Sequence, residues 1–270
     1  MVCRRRRSRC GRVDAVVVFG ALVLSQFDMV DMPLDPAFAP AAPGSLALAQ
    51  GEVHVWAVRL TGDPEQFAQV LSSAELDRVH RFRFADHQRR YQVCHGVVRF
   101  ILGGYLGCRP ADVEFRHGPR GKPLIEGQAL DFNISHSGNL ALVAVGTRPL
   151  GVDVEKLRRL ESLSQIAERH FSSLECAALN RLEGGARELG FYRCWTRKEA
   201  YIKALGEGLA MALDSFDVCL DKEPSLLACR DSDEHPAAWS MLDVSPAEDF
   251  VGALAVRERP VRVTRLQFQA

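Results

Sequence analysis

The sequence has no charge excess: Lys plus Arg and Asp plus Glu each total 34 in 270 residues. A dedicated nucleic-acid binder usually carries a basic surplus, so that class is disfavoured. There is no C-x-x-C pair. The eight cysteines, at 3, 10, 94, 108, 176, 194, 219 and 229, are scattered, which argues against a zinc site or disulfide framework and for a reduced, cytoplasmic setting. There is no run of the ~20 apolar residues that a membrane span needs. The nearest candidate, residues 15–24 behind the basic run 4–7, is too short. Those two runs resemble the start of a signal peptide, but no small-x-small site follows closely, since Ala47-Leu48-Ala49 comes late. A disordered extension over residues 1–50, or a start at Met29 or Met32, is preferred to secretion, with the Pro- and Ala-rich stretch 33–50 as a loose lead-in. No G-x-S-x-G elbow and no exact internal repeat occur.

What is present is a chain 47% hydrophobic, enough for one large core or two smaller ones. Alternation and strand-forming residues predict a strand over 53–58. Ser72-Ser73-Ala74-Glu75 reads as a helix N-cap, and a longer helix is predicted over 85–106, loosened at Gly103-Gly104 and capped by Gly107. A short strand candidate, 113–115, precedes the turn His117-Gly118-Pro119-Arg120-Gly121-Lys122-Pro123. That turn puts two cations on a constrained loop, which suits phosphate oxygens but also describes an ordinary exposed turn. Residues 132–134 alternate as a strand and lead into Ser135-His136-Ser137-Gly138. Ser135 and His136, being adjacent, face opposite sides of a strand, so a serine hydrolase is disfavoured and anion binding is the better chemistry.

Residues 140–145 and 151–155 read as a hairpin joined by a tight connection. Period two puts Asp153 and Glu155 on one face and Val152 and Val154 on the other. Two like charges side by side are costly unless a cation lies between them, and hard oxygen ligands suit Mg²⁺; an exposed acidic edge is the plainer alternative. A helix over 163–171 follows, then a second capped by Ser172 with Glu175 and ended by Gly184-Gly185. In the helix over 191–203, Trp195, Glu199 and Lys203 share one face. Taken alone they are a packed Trp beneath a surface ion pair. A strand over 216–220 and weakly alternating segments to the end suggest a closing antiparallel sheet.

Four blocks then fall in one order: Gly121-Lys122-Pro123, Asn133-Ile134-Ser135-His136-Ser137, Gly151-Val152-Asp153-Val154-Glu155-Lys156, and Trp195 through Lys203 in W-x-x-K-E-A-x-x-K. Together with Phe171-Ser172 and Glu175, they resemble the Sfp-type 4′-phosphopantetheinyl transferases over roughly residues 53–220. The resemblance implies an α/β (α+β) pseudo-twofold fold of two similar halves, 51–148 and 149–270, the second carrying the metal site. It implies Mg²⁺-dependent transfer of phosphopantetheine from coenzyme A to a serine of an acyl or peptidyl carrier protein. No nucleic-acid or membrane partner is implied, and two fused halves imply a monomer. Position by position, Asp153, Glu155 and Glu199 match the metal carboxylates, and Glu199 and Lys203 the catalytic pair. Arg90, Arg120, Lys122, Ser135, His136 and Lys203 match coenzyme A contacts, Arg90 loosely because Asp86-His87-Gln88 departs from the basic run usual there. The rival classes are a non-catalytic coenzyme A or nucleotide-binding module and a Mg²⁺-dependent phosphohydrolase.

Overall fold

The computed structural model describes residues 33–269 apart from 45, 126, 128, 207, 209, 210, 231 and 232. The basic and apolar runs before Pro33, with Met29 and Met32, lie outside the described residues. In chain order the first elements are β1 (Ala39–Ala41), β2 (Glu52–Arg59), α1 (Glu65–Ala68), α2 (Ser73–Arg81), α3 (Ala85–Leu106), β3 (Arg116–His117), β4 (Pro123–Leu124), β5 (Asp131–Ser137) and β6 (Leu140–Gly146). The chain continues with β7 (Leu150–Lys156), α4 (Leu163–His170), α5 (Ser173–Leu179), α6 (Gly184–Leu205), β8 (Phe216–Val218), β9 (Leu226–Cys229), β10 (Ser240–Asp243), β11 (Phe250–Val256) and β12 (Arg262–Phe268).

Two sheets stack in the middle of the molecule. The first has the order β1-β12-β2-β6-β5 and the second β10-β11-β7. Their facing aliphatic side chains, Val55 and Leu142 from one and Val152, Val154 and Leu254 from the other, form a fully buried layer. Each such side chain contributes roughly 1.5–3 kcal/mol. α3 covers the outer face of the first sheet through Ile101 and Leu102 against Trp56 and Val143, and α6 covers the second through Tyr201 and Ile202 with Ala253. Val152 and Val154 are thus buried between the sheets, while Asp153 and Glu155 turn toward α6, as the period of two predicts.

The two halves repeat one device. Ser72 caps α2 and Ser172 caps α5, each in a reciprocal capping box with the Glu three residues on. Each Glu is buried and reaches a base on the following long helix: Glu75 lies 2.8 Å from Arg99 and Glu175 lies 2.8 Å from Lys198. α3 and α6 are each 22 residues long, and Arg99 and Lys198 hold matching positions in them. By that match Glu199 falls opposite Phe100 and Lys203 opposite Gly104, so the first half carries no counterpart of those two polar groups. Glu75 predicts a pH dependence. Burial raises its carboxyl pKa, but hydrogen bonds from His95, Ser72 and Arg99 outweigh this and hold it down at about 2. A depressed carboxyl pKa adds stability above the unfolded value, and that stability is lost as pH falls. The melting temperature of Glu75→Gln should therefore approach that of the parent between pH 4.5 and pH 2, and a constant gap across that window would exclude this contribution.

Several local expectations are corrected. Residues 33–50 are not a loose lead-in: Phe38 is buried in the core, and β1 pairs in parallel with β12. β6 and β7 do not form a hairpin, because both edges of β6 are taken by β2 and β5 while β7 pairs along its length with β11. β12 leaves the second sheet and runs parallel to β2, whose free edge it covers. Gly184 begins α6 rather than ending α5, and the strand expected at 113–115 forms instead at Arg116–His117, as β3. Gly103 and Gly104 lie inside α3. A Cβ on Gly104 would come within 2.5 Å of the Gly44 carbonyl, so this glycine lets the N-terminal strap cross the helix.

Candidate active site

The site forms where α6 crosses β7, and a glycine sets how closely they cross. A Cβ on Gly151 would sit 2.1 Å from the Ala200 carbonyl and 2.4 Å from the Ala204 amide. Only hydrogen fits there, so the α6 backbone rests directly on the strand. Glu199 and Lys203 are thereby brought to the face of β7 that carries Asp153 and Glu155. Gly151→Ala should push the two apart. A stability loss of roughly 1–3 kcal/mol in a denaturant melt, with a larger loss of turnover, is expected; unchanged melting and turnover would contradict the close crossing.

Lys203 joins the elements. Its Nζ lies 2.6 Å from Asp153 Oδ1, donates to Ser135 Oγ at 3.0 Å, and reaches the Val152 carbonyl at 3.4 Å. Ser135 in turn donates to Asp153 Oδ1 at 2.8 Å. The other Asp153 oxygen, Oδ2, is buried without a hydrogen-bond partner. Burial, and then the Asp153 charge, push the carboxyl groups of both Glu155 and Glu199 up to about 7. Burial works against the Lys203 ammonium, but Asp153 and Glu199 more than offset it and raise its pKa.

Among the described residues, no three His, Cys, Asp or Glu side chains are gathered closely enough to hold a metal ion as they stand. Asp153, Glu155 and Glu199 nonetheless fit a divalent cation by charge. One carboxylate oxygen is buried and unpartnered, and two further carboxyls feel its charge, their pKa values raised by burial first and by Asp153 second.

The opposite face of β5 gathers positive charge. His136 is open to solvent in a crowded setting; desolvation by its neighbours and the charges of Lys203, His95, Arg90 and His87 push its ring down to about 4. It is therefore neutral near pH 7, one ring nitrogen donating and the other accepting. Arg90 Nε is buried and has no hydrogen-bond partner. The charges of Lys203 and Arg90 thus reach His136, as do those of His87 and His95, which sequence reasoning did not select, while Ser135 faces Lys203 and Asp153 from the other side of the strand. His95 stacks on Tyr91 with ring centroids 3.9 Å apart and lies 3.2 Å from Glu75.

Lys122 stands apart from that group. Its ammonium pairs with Asp131 at 2.8 Å and donates to the Leu150 carbonyl at 3.0 Å, so it is committed within the protein. Arg120 lies exposed beside Gly208, close after α6. Trp195 is half-buried against Phe191 and His170. Lys198, the lysine beside Glu199, is fully buried and structural. Nothing in the spacing of W-x-x-K-E separates the roles of these two neighbours.

Comparison with known proteins gives the family. Residues 149–255 match a family model described as the 4′-phosphopantetheinyl transferase superfamily, and residues 61–148 one described as 4′-phosphopantetheinyl transferase, N-terminal. The 4′-phosphopantetheinyl transferase HetI of Nostoc sp. (strain PCC 7120) is 41% identical over 223 residues, covering 79% of this chain and 91% of that one. The chain belongs to the 4′-phosphopantetheinyl transferase family. The transferase is also 27% identical to 4′-phosphopantetheinyl transferase Sfp of Bacillus subtilis (strain 168), over 76% of this chain and 91% of that one. A solved structure of a holo-(acyl-carrier-protein) synthase from Bacillus anthracis, in complex with CoA (3′,5′-ADP), is similar over 40% of this chain and 93% of its own, at 22% identity and a TM-score of 0.34. No helix among the described residues of the transferase is long and apolar enough to cross a membrane.

Proposed function

We propose that this transferase moves the 4′-phosphopantetheine group of coenzyme A onto a serine of an acyl or peptidyl carrier protein, releasing adenosine 3′,5′-bisphosphate. The observation that carries the reading is the Lys203–Asp153 contact, 2.6 Å, which ties α6 to β7, and the reading is supported by the Asp153 charge acting on Glu199. Asp153, Glu155 and Glu199 would hold Mg²⁺. When bound, the metal supplies charge neutralisation for the pyrophosphate oxygens.

The chain's own groups account for the rest. Arg90, Arg120 and neutral His136 offer donors to phosphate oxygens, and Ser135 can add its hydroxyl. Lys122 supports this site from behind, by holding Asp131 and Leu150. Glu199, with its pKa near neutrality at about 7, is matched to take the proton of the carrier serine. The serine oxygen bonds to the β-phosphorus as the bond to the departing adenosine bisphosphate breaks. Lys203, kept protonated by Asp153 and Glu199, can give its proton to that leaving phosphate.

Both fused halves of the chain supply residues to the proposed site, in keeping with action as a monomer. The six described cysteines are all free, in keeping with a reducing cytoplasm. The family-model ranges, which meet between 148 and 149, support the division into halves at that point. The test is incubation with coenzyme A, Mg²⁺ and a panel of apo-carrier proteins, read by mass spectrometry. A mass gain of one phosphopantetheine on the carrier is expected. Binding of coenzyme A without any gain on any carrier would leave the binding-module reading. Phosphate release without a carrier would favour the hydrolase.

A further inference from the structure

β5 and β7 lie side by side but belong to different sheets, and side chains rather than backbone join them. β7 pairs with β11 through one edge, which leaves the amides of Leu150, Val152 and Lys156 facing β5. Asp131 Oδ2 accepts from the Leu150 amide at 2.9 Å, and Asn133 Oδ1 accepts from the Val152 amide at 2.9 Å. Ser137 Oγ accepts from the Lys156 amide at 3.1 Å and donates to Glu155 Oε2 at 2.7 Å. Ser135, on the same face, turns its hydroxyl to Asp153 instead. A period of two along β5 therefore places a polar group at each step of the joint between the halves.

We propose that Ser137 is a positioning residue for the transfer: it fixes the Glu155 carboxylate relative to the β7 backbone so that Glu155 can serve as a metal ligand. One feature separates it from an ordinary surface serine. One oxygen both receives the amide of the residue after Glu155 and gives its proton to the Glu155 carboxylate, so strand and side chain are held by a single atom. A carboxylate left free to rotate would spend the binding energy of the metal on its own ordering.

This inference rests on the proposed metal role of Glu155, and the test separates the two. Ser137→Ala, Ser137→Thr and the parent protein are titrated with Mg²⁺ alone, using the metal-induced rise in melting temperature. They are then assayed for transfer with kcat and coenzyme A KM resolved. Ser137→Ala should bind Mg²⁺ roughly 10–100-fold more weakly and lose kcat more than it changes KM, with its metal-free melting temperature near that of the parent. Ser137→Thr keeps the hydroxyl and should recover most of both. Should Ser137→Ala lose its cooperative melt, Ser137→Cys, which fills the site but hydrogen-bonds weakly, carries the same comparison. Parental metal affinity and kcat in a folded Ser137→Ala, or a Thr variant no better than the Ala one, would overturn the role of Ser137. A parent protein that neither binds Mg²⁺ nor modifies any carrier would instead overturn the functional reading beneath it.

Discussion

Glu199→Gln is expected to slow carrier modification by roughly 10²–10⁴-fold at saturating substrates, the range for removing a positioned general base. Glutamine keeps the shape of the side chain on α6 but cannot take a proton or carry the charge a cation needs. Stability should move the other way. Burial and the Asp153 charge push the Glu199 carboxyl up to about 7, which means that its ionised form is disfavoured where it sits. A neutral amide removes that repulsion, so the metal-free variant should melt at or above the parental temperature above pH 7. Single-turnover transfer and a thermal melt on the same preparation check both arms. Turnover at the parental rate with Mg²⁺ present would remove Glu199 from the mechanism.

The neighbouring residue should behave in the opposite sense. Lys198 is fully buried, its Nζ 2.8 Å from Glu175, donating to the carbonyls of Leu213 and Phe216 at 2.7 Å each and lying 4.2 Å from the centre of the Phe216 ring. Lys198→Ala strands Glu175 inside the protein. Glu175 keeps the amides of Ser172 and Val218, at 2.9 Å and 2.8 Å, but loses the ammonium paired with it at 2.8 Å. Breaking a buried pair in this way costs about 3–5 kcal/mol, a large share of the ~5–15 kcal/mol that holds a typical protein folded. Urea denaturation should show that loss. At low temperature the remaining folded fraction should retain transfer, since Lys198 makes no contact with Asp153, Glu155 or Lys203. A parental denaturation midpoint would contradict the structural role of the Lys198–Glu175 pair.

These two adjacent residues mark what local pattern conveys and what it does not. α2 begins where its cap places it, and α3 begins and ends where periodicity and Gly107 place it, because those signals act within a few residues. β7 exposes its carboxylates to one side for the same local reason. α6 carries Glu199 and Lys203 one turn apart by helix geometry alone. The ordered motifs name the family because a spacing of carboxylates and lysine is a property of the chain itself.

The pairing of the strands is different. Residues 140–145 and 151–155 look like a hairpin when only the short connection is considered, yet β6 and β7 are drawn to separate partners along their whole length. β12 crosses to β2 because an open strand edge needs hydrogen bonds, and no local signal says which edge is open. The alternation Asp131, Asn133, Ser135, Ser137 was visible in the sequence, but its meaning depends on β7 presenting free amides beside it.

By itself, then, the sequence determined α3, the start of α2, the two faces of β7, the family and the candidate carboxylates, through signals that each act over a short stretch of chain. Tertiary structure alone decided that Lys122 and Lys198 are held inside the protein while Lys203 meets Asp153, that His87 and His95 join Arg90 around His136, and that Gly151 sets the crossing of α6 on β7. Each of these turns on how closely distant segments approach. A lysine's charge is the same in all three places, and only its distance from a carboxylate and from water determines what it does.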